Sequence, residues 1–281
     1  MNGPILVGGV SLLALLGALL YWQLVVAEGV YLGRRVVVWL YDLYASRYDD
    51  VKQFDERDEA WFLGEPLNKA LLGVPAPLVL DVATGTARLP QALFQQPTFS
   101  GRVVALDLSR QMLRQAASKM TPYRDRLTLL WQDATRLPFP DAVFDAVTCL
   151  EALEFLPDAK VTLTEMVRVL RPGGLLLTSS RTGPGARWMP GRAVSREAFV
   201  ALLESLSLSD VLVSTWQVDY DIAWARKPGR STGPTPPTLP ALLRCPRCTG
   251  GPLIRQDRAF FCDTCDSHYP ITDDGVVEMG W

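Results

Sequence analysis

The chain begins with a long apolar run before its pattern changes to shorter alternations. From Pro4 to Ala27 there are 24 residues without a charge. At about 1.5 Å per residue, a helix of this length can cross the roughly 30 Å hydrocarbon core of a bilayer. Tyr21 and Trp22 are typical of the aromatic belt at a membrane interface. The pattern predicts one transmembrane helix within an N-terminal anchor of residues 1–30.

The charges beside this run predict its orientation. Its first basic neighbours, Arg34 and Arg35, follow the run, and none precedes it. Because positive flanks stay on the cytoplasmic side, we expect a single-pass membrane protein whose remaining domains are cytoplasmic. Two alternatives are a cleaved signal peptide, with the small residues Val25 and Ala27 near the cleavage site, and a buried core helix. The length and the lack of a basic leader disfavour the signal peptide.

Residues 31–227 form the next predicted unit. From Leu78 to Lys227, apolar runs alternate with stretches of helical period, as in LVLDVA, RLPQALFQQ, RVVALDLS, RQMLRQAASKM and LTLLWQD. This alternation predicts an α/β domain with a mostly parallel sheet and helices on both faces. Later runs predict strands at FDAVTCL and GGLLLTSS and helices near TLTEMVRVL and SREAFVALLESL. The run DVLVSTWQVDYDIAWAR is long enough for two strands with a turn near Gln217 to Tyr220.

The C-terminal part changes character twice. Residues 228–240, PGRSTGPTPPTLP, are rich in proline and predict a semi-rigid linker. Residues 241–281 then carry two CxxC pairs separated by thirteen residues, formed by Cys245, Cys248, Cys262 and Cys265. This spacing is typical of a closed tetrahedral zinc site, and four thiolates leave no open position, so we expect structural zinc. Two disulfides are the alternative, which a cytoplasmic location disfavours.

Composition excludes several functional classes. The 281 residues are 48% hydrophobic, which is enough for a core, and the formal net charge of -2 gives no global positive field for nucleic acid. A nucleic-acid partner is therefore disfavoured, although a local basic patch would still permit one. His268 is the one histidine, so a histidine base or a Ser-His-Asp triad elsewhere in the chain is excluded. The isolated Cys149 is expected to be a small buried apolar residue.

Acidic residues follow three consecutive predicted strands. Asp81, Asp107 and Asp133 stand at these positions, and ligands of open parallel sheets bind at the carboxyl ends of the strands. Only Gly85 follows the first strand, so the glycine-rich loop of a dinucleotide site is absent. Carboxylates at this edge favour a cationic ligand with hydroxyl and amino groups to donate. Simple helix capping by aspartate is the structural alternative.

These stretches resemble the motifs of class I S-adenosylmethionine-dependent methyltransferases, especially the group that includes the ubiquinone and menaquinone C-methyltransferases. LVLDVATGTAR is similar to the first motif of that family, VVALDLSRQML to the second, QDATRLPFPDAVFDAV to the stretch that holds the adenine, and EMVRVLRPGGLLL to the segment before the fifth strand. The resemblance implies a Rossmann-like, seven-stranded, mostly parallel sheet. It also implies S-adenosylmethionine as the cofactor.

The resemblance implies roles for individual residues. Gly85 would approach the methionine part, and Asp107 would bind the ribose. Leu108 would lie against the adenine, Asp133 would accept from its amine, and Ala134 would offer a backbone N–H. The full expected cofactor-binding set is Asp81, Ala83, Gly85, Asp107, Leu108, Met112, Asp133, Ala134 and Cys149.

Two positions bear on activity. Ala87 stands where the family usually has a third glycine, which puts in doubt how closely the loop approaches the cofactor. Glu151, at the end of the fourth predicted strand, is the candidate catalytic base if the reaction needs one. The segment from Tyr41 to Trp61 is similar to the family's N-terminal helix and lid.

The cysteine-rich module has its own resemblance. Residues 242–279 resemble small zinc-ribbon proteins that bind and activate methyltransferases acting on tRNA and on a translation release factor. The resemblance implies that the ribbon packs on the catalytic domain of its own chain.

These observations support three readings of function. The first is a membrane-anchored methyltransferase acting on a small or lipid-like acceptor, for example a quinone. The second is a tRNA or protein methyltransferase, which the ribbon favours and the net charge of -2 does not. The third is a non-catalytic membrane scaffold with a decayed cofactor site.

Overall fold

The computed structural model describes residues 3–230 and 238–280. Its first helix, α1, spans Gly3–Tyr21 and continues as a π-helical turn over Trp22–Val26. The segment Gly9–Val26 is long and apolar enough to cross a membrane, and none of it is buried against the rest of the chain. Its exposure argues against the buried core helix, because a core helix would be covered by protein.

Four helices lie between α1 and the first strand. They are α2 (Arg34–Tyr44), α3 (Tyr48–Lys52), α4 (Glu56–Glu59) and α5 (Glu65–Ala70). Gly29 and Gly33, both with positive φ, turn the chain between α1 and α2. A Cβ on Gly29 would lie 2.9 Å from Val36 Cγ1, so this turn packs closely on α2.

The central sheet has eight strands. Seven come from the predicted α/β domain: β1 (Leu78–Val82), β2 (Arg102–Asp107), β3 (Leu127–Gln132), β4 (Phe144–Cys149), β5 (Leu170–Arg181), β6 (Ser209–Gln217) and β7 (Tyr220–Arg226). The eighth is the last strand of the chain, β11 (Val277–Gly280). The spatial order is β11-β3-β2-β1-β4-β5-β7-β6.

The directions of the strands confirm the predicted fold class. Strand β7 pairs antiparallel with β5 and β6, while the other neighbouring strands are parallel. The predicted turn is also confirmed, since β6 ends at Gln217 and β7 begins at Tyr220. The Rossmann-like sheet therefore has the seven predicted strands plus β11, which extends it at the β3 edge.

Helices cover both faces of this sheet. They are α6 (Arg88–Phe94), α7 (Arg110–Lys119), α8 (Ala159–Val169), the short α9 (Gly183–Ala186) and α10 (Arg196–Ser205). Three of them begin after a side chain that accepts a backbone hydrogen bond from the first turn: Ser109, Asp158 and Ser195. Such N-caps satisfy donors that the helix itself leaves free.

Two apolar clusters fill the space between sheet and helices. In β1, Leu78 and Leu80 belong to one cluster and Val79 belongs to the other, as expected for side chains that alternate across a sheet. The first cluster also contains Leu243 and Phe260 of the C-terminal module, both fully buried. The module therefore shares its core with one face of the central sheet.

The C-terminal module is a small antiparallel sheet preceded by a helical turn. The turn is α11 (Leu239–Leu242), and the strands are β8 (Ile254–Gln256), β9 (Ala259–Phe261) and β10 (His268–Pro270). Beyond β10, Val277 of β11 pairs with Leu130 of β3. Most of the predicted proline-rich linker, residues 231–237, lies outside the described residues.

Candidate active site

A cavity lies at the carboxyl ends of β1 to β4, where the sequence predicted a ligand. It encloses about 810 Å³ including its opening to solvent. Its wall includes seven residues predicted for cofactor binding or catalysis: Ala83, Gly85, Asp107, Leu108, Asp133, Ala134 and Glu151. The fold therefore brings together residues from four separate loops at one edge of the sheet, as expected for parallel strands.

Asp107 stands at the end of β2 and is held by backbone donors. Gly85 N donates to Oδ2 at 2.8 Å and Ser109 N donates to Oδ1 at 2.7 Å. Burial raises the pKa of Asp107 to about 6, although these hydrogen bonds work to lower it. At neutral pH the group is a carboxylate in the cavity wall, which can accept hydroxyl donors.

Asp81 lies one layer deeper than the sequence suggested. It is only 3% exposed and accepts hydrogen bonds from Thr84 Oγ1 and Thr148 Oγ1, both at 2.6 Å. Burial raises its pKa to about 6. Asp81 lines a smaller neighbouring recess. Gly85 and Glu151 line both this recess and the main cavity, whereas Asp81 does not line the main cavity. Its two threonine contacts indicate that it orders the loop after β1.

Gly85 and Ala87 both have left-handed backbone conformations in this loop. Gly85 has φ of 55° and lines the cavity, where an added Cβ would lie 3.9 Å from Tyr48 Cε1. Ala87 has φ of 64° but is fully buried in the apolar cluster around Leu93. The methyl group of Ala87 therefore faces the core rather than the cavity.

Asp133 has a charged partner in α2, the first α-helix after the apolar N-terminal segment. Arg34 of α2 donates to Asp133 Oδ2, and Thr135 N donates to Oδ1 at 2.8 Å. The neighbouring Gln132 also lines the cavity. Its Oε1 is buried without a hydrogen-bond partner among the described residues, so this edge has an acceptor available for an amino group.

Glu151 lies at the end of β4 with its carboxylate in an ion-pair network. Arg88 bridges it to Glu59: Nη1 lies 2.5 Å from Glu151 Oε1, and Nε lies 2.6 Å from Glu59 Oε2. Lys52 Nζ is 3.8 Å from the other Glu151 oxygen. The backbone of Glu151 has φ of 51°, and its N–H donates to Ser179 Oγ. The carboxylate is thus fixed at the cavity wall.

Met112 and Cys149, two predicted cofactor-binding residues, do not line the cavity. Met112 is 1% exposed in the first turn of α7, and Cys149 is fully buried in the core. Burial raises the pKa of the Cys149 thiol well above its ordinary value, as expected for an inert core cysteine. Both residues support the wall from behind.

The sequence did not single out a buried polar group beside the cavity. Glu154 is 1% exposed, accepts a hydrogen bond from Tyr220 OH and lies 3.6 Å from Arg181 Nη1. Burial raises the pKa of Glu154. Tyr41, which lines the cavity, donates to Glu28 at 2.8 Å. Glu154, Tyr220 and Arg181 come from segments distant in sequence, so no local motif marked them.

The four cysteines of the C-terminal module form a compact cluster. Their sulfur atoms all lie within 4.8 Å of one another. The Sγ atoms of Cys245 and Cys265 are 3.6 Å apart, and those of Cys248 and Cys262 are 3.5 Å apart. These separations are too long for S–S bonds of about 2.05 Å. They fit thiolates around a tetrahedral zinc ion, whose Zn–S bonds of about 2.3 Å place sulfurs roughly 3.8 Å apart.

Comparison with known proteins identifies the family. The family model described as "Methyltransferase domain" matches residues 80–178. A demethylmenaquinone methyltransferase of Mycolicibacterium paratuberculosis is 35% identical over 191 residues, which cover 61% of this chain and 78% of the relative. The chain belongs to the class I S-adenosylmethionine-dependent methyltransferases. The comparison therefore supports the predicted enzyme class and its cofactor, S-adenosylmethionine.

Other relatives agree, with partial coverage. The demethylmenaquinone methyltransferase of Lysinibacillus sphaericus is 40% identical over 116 residues, 40% of this chain and 49% of that protein. The chain spans about half the length of the first two curated relatives. A Haloferax volcanii methyltransferase, solved in a complex with the Trm112 methyltransferase activator, is 21% identical with a TM-score of 0.51 and covers 67% of this chain and 98% of its own. This last likeness concerns the fold alone.

The cavity fits the cofactor of this methyltransferase family. It combines the Asp107 carboxylate, the open left-handed turn at Gly85 and the Gln132 Oε1 atom, which has no partner within the described part of the chain. S-adenosylmethionine offers ribose hydroxyls, an adenine amine and a positive charge, which suit these acceptors and acids.

Proposed function

We propose that this methyltransferase transfers a methyl group to a ring carbon of a lipid-tailed quinol at the membrane. The observation that carries the proposal is the match with relatives named demethylmenaquinone methyltransferase, up to 40% identical, in a chain that also has an exposed apolar helix. A quinol with an isoprenoid tail resides in the bilayer. An enzyme fixed to the same bilayer would find it by diffusion in two dimensions.

The cavity residues would hold the cofactor as follows. Asp107 would accept both ribose hydroxyls, with Leu108 against the adenine. Asp133, Gln132 and the Ala134 backbone N–H would face the adenine edge, and all of them line the cavity. Gly85 would face the methionine part, with Ala83 beside it, while Asp81, Met112 and Cys149 would support the wall from the core.

Part of the cavity wall is apolar, which suits an apolar acceptor. Val37 and Val38 of α2 and the segment Phe155–Pro157 form its apolar wall, and Tyr48 lies near Glu151. When bound, S-adenosylmethionine would supply a methyl group on a positively charged sulfur. Its in-line transfer to an acceptor carbon would break the methyl–sulfur bond, leave a neutral thioether and release one proton from that carbon. The apolar wall would exclude water and orient the ring.

Glu151 would take the proton that the acceptor carbon releases. Its carboxylate lines the cavity, and its pairing with Arg88 fixes its position. We expect Glu151→Gln to lower kcat by roughly 10- to 100-fold with unchanged S-adenosylmethionine affinity. Glu56→Gln, on the surface of α4, is the control. Unchanged turnover of Glu151→Gln would rule out this role.

The chain would be organised in four parts. Residues 1–30 would anchor it in the membrane, with residues 31–227 as a cytoplasmic catalytic domain. Residues 228–240 would link this domain to the ribbon at 241–281. Zinc bound by Cys245, Cys248, Cys262 and Cys265 would be structural, and the pairing of β11 with β3 would make the ribbon a built-in part of the catalytic sheet.

A second candidate is methylation of tRNA or protein. It is favoured by the likeness of the ribbon to methyltransferase activators. The two candidates differ in the polymer or lipid that receives the methyl group.

One assay separates the candidates. Full-length protein in lipid vesicles would be incubated with S-adenosylmethionine carrying a labelled methyl group and with demethylmenaquinone, total tRNA or a cell protein extract. The proposal expects label in the quinone fraction, and an Asp107→Ala variant should lose it. Label in tRNA or protein only would overturn the lipid acceptor. Absence of measurable S-adenosylmethionine binding by calorimetry would instead support a non-catalytic scaffold.

A further inference from the structure

Helix α2 has two faces with different surroundings. On the inner face, Val37 is 8% exposed, and Val38 and Tyr41 line the cavity. Asp42 accepts hydrogen bonds from Ser109 Oγ at 2.6 Å and from Gln111 N at 3.1 Å. These contacts fix α2 to the start of α7, so the helix cannot turn its outer face inward.

The outer face of α2 is apolar and basic. Arg35, Trp39 and Leu43 recur every four residues, which places them on one side of a helix. Trp39 is 57% exposed and Leu43 is 67% exposed. We call Arg35, Trp39 and Leu43 the α2 outer face. Large exposed apolar side chains next to arginine are typical of helices that lie in a membrane interface.

This face is close in sequence and in structure to the apolar helix. Helix α2 begins at Arg34, eight residues after Val26. Trp22, just beyond α1, donates from Nε1 to Trp188 O at 2.9 Å and stacks on Tyr31 with ring centroids 5.3 Å apart. Tyr31 OH donates to Pro190 O at 2.8 Å. The end of the apolar helix is therefore fixed to the catalytic domain by several contacts.

We propose that the α2 outer face, together with Trp188, lies on the headgroup region of the bilayer that holds α1. Trp188 is 54% exposed beside the fixed end of the apolar helix, and tryptophan and arginine are both favoured at this depth. The occupant of this surface is the anionic phospholipid surface itself. The inference rests on the membrane anchoring proposed above.

The two faces together give α2 a role in substrate delivery. The outer face touches lipid while Val37, Val38 and Tyr41 on the inner side border the cavity. Helix α2 would thus be the single helix that separates the bilayer from the cavity. An acceptor with an apolar tail would pass from the leaflet into the cavity at the edge of α2 and keep its tail in lipid.

Lipid crosslinking in the full chain tests the surface. The photoreactive residue p-benzoylphenylalanine would replace Leu43, or Leu72 as a matched control, in protein reconstituted in phosphatidylglycerol–phosphatidylcholine vesicles. The two leucines are 67% and 62% exposed, but Leu72 lies at the amino-terminal edge of the sheet, before β1. We expect at least ten times more lipid adduct at position 43 than at position 72.

A third position makes the outcomes distinguishable. The same photoreactive residue in place of Leu16, within the apolar helix, reports whether the helix is in the bilayer. Adducts at position 16 without adducts at position 43 would overturn the surface proposal and leave the anchor intact. No adducts at position 16 would overturn the anchor and, with it, the surface proposal.

A kinetic comparison tests delivery. Leu43→Glu, with Leu72→Glu as control, would be assayed with a long-tailed acceptor in vesicles and with a short-tailed, water-dispersed acceptor. We expect Leu43→Glu to raise KM for the long-tailed acceptor about five- to tenfold and to leave the short-tailed reaction unchanged. Equal losses with both acceptors would overturn the delivery role, because they would indicate damage to the cavity.

Discussion

At the scale of single residues, Ala87 shows why a departure from a family motif needs a structure to interpret it. Its φ of 64° is one that glycine adopts without strain. Its side chain is fully buried in the second apolar cluster. Ala87 therefore affects how the loop after β1 packs on the core, rather than how closely this loop approaches the cofactor.

Ala87→Gly should change S-adenosylmethionine affinity by less than about twofold, because the methyl group does not face the cavity. Stability should change by less than about 1 kcal/mol, since relief of left-handed strain is offset by the loss of a buried methyl group and a more flexible unfolded chain. Calorimetry and thermal unfolding measure both. Tenfold tighter binding by the variant would contradict this account.

Asp81 supports a prediction on pH. Its pKa is about 6 in the fold and 3.8 ordinarily. Because the folded value is higher, the carboxyl disfavours folding once it ionises: the cost is absent below pH 3.8, grows between 3.8 and 6, and is complete above 6. Replacement by asparagine keeps the shape, and the hydroxyls of Thr84 and Thr148 can accept as well as donate.

We therefore expect Asp81→Asn to stabilise the protein at pH 7.5 by about 2–3 kcal/mol. The gain should shrink below about 1 kcal/mol near pH 4, where the wild-type carboxyl is protonated in the fold and about half protonated in the unfolded chain. Denaturant unfolding of the detergent-solubilised full chain at the two pH values measures this difference. A variant less stable than wild type at pH 7.5 would show that the carboxylate stabilises the loop.

At the scale of elements, the junction between β11 and the catalytic sheet was not predictable from local sequence. The four residues of β11 follow a turn and give no pattern that specifies β3 as the partner. An ion-pair cluster closes the junction: Arg110 of α7 lies 2.8 Å from Asp274 and 3.2 Å from Glu278. Strand pairing across such a distance in sequence is decided by tertiary packing.

A further prediction concerns this cluster. Arg110→Ala should lower the stability of the full chain by about 1–2 kcal/mol, because two partly buried carboxylates lose their partner. It should also speed proteolytic cleavage of the ribbon. Arg114→Ala is the control, since Arg114 is exposed one turn further along α7 and bonds only Gln111 among the contacts described here. Equal effects of the two variants would argue against the cluster as the junction.

At the scale of the whole molecule, we expect the exposed apolar helix to determine whether the protein partitions into the membrane or the soluble fraction. Residues 9–21 leave their apolar side chains exposed, and such a surface is costly in water. Full-length tagged protein should stay in the membrane pellet after a carbonate wash, whereas deletion of residues 1–26 should release it. Recovery of the full-length protein in the soluble fraction, or a mature N-terminus at Glu28, would contradict the anchor.

The sequence alone determined the features that depend on local pattern. Periodicity specified the seven strands and their helices, the four cysteines specified the metal-type cluster, and the acids after β1 to β3 specified the site edge. Each of these follows from neighbours within about one element, because side chain period and strand direction are set locally.

Tertiary structure decided what depends on distant partners. It paired Glu151 with Arg88, turned Ala87 into the core and placed Arg34 on Asp133. It also joined the last strand of the chain to β3. These outcomes depend on which elements pack together in the folded chain. The burial of a side chain and the pairing of its charge are set by this packing and not by any single segment.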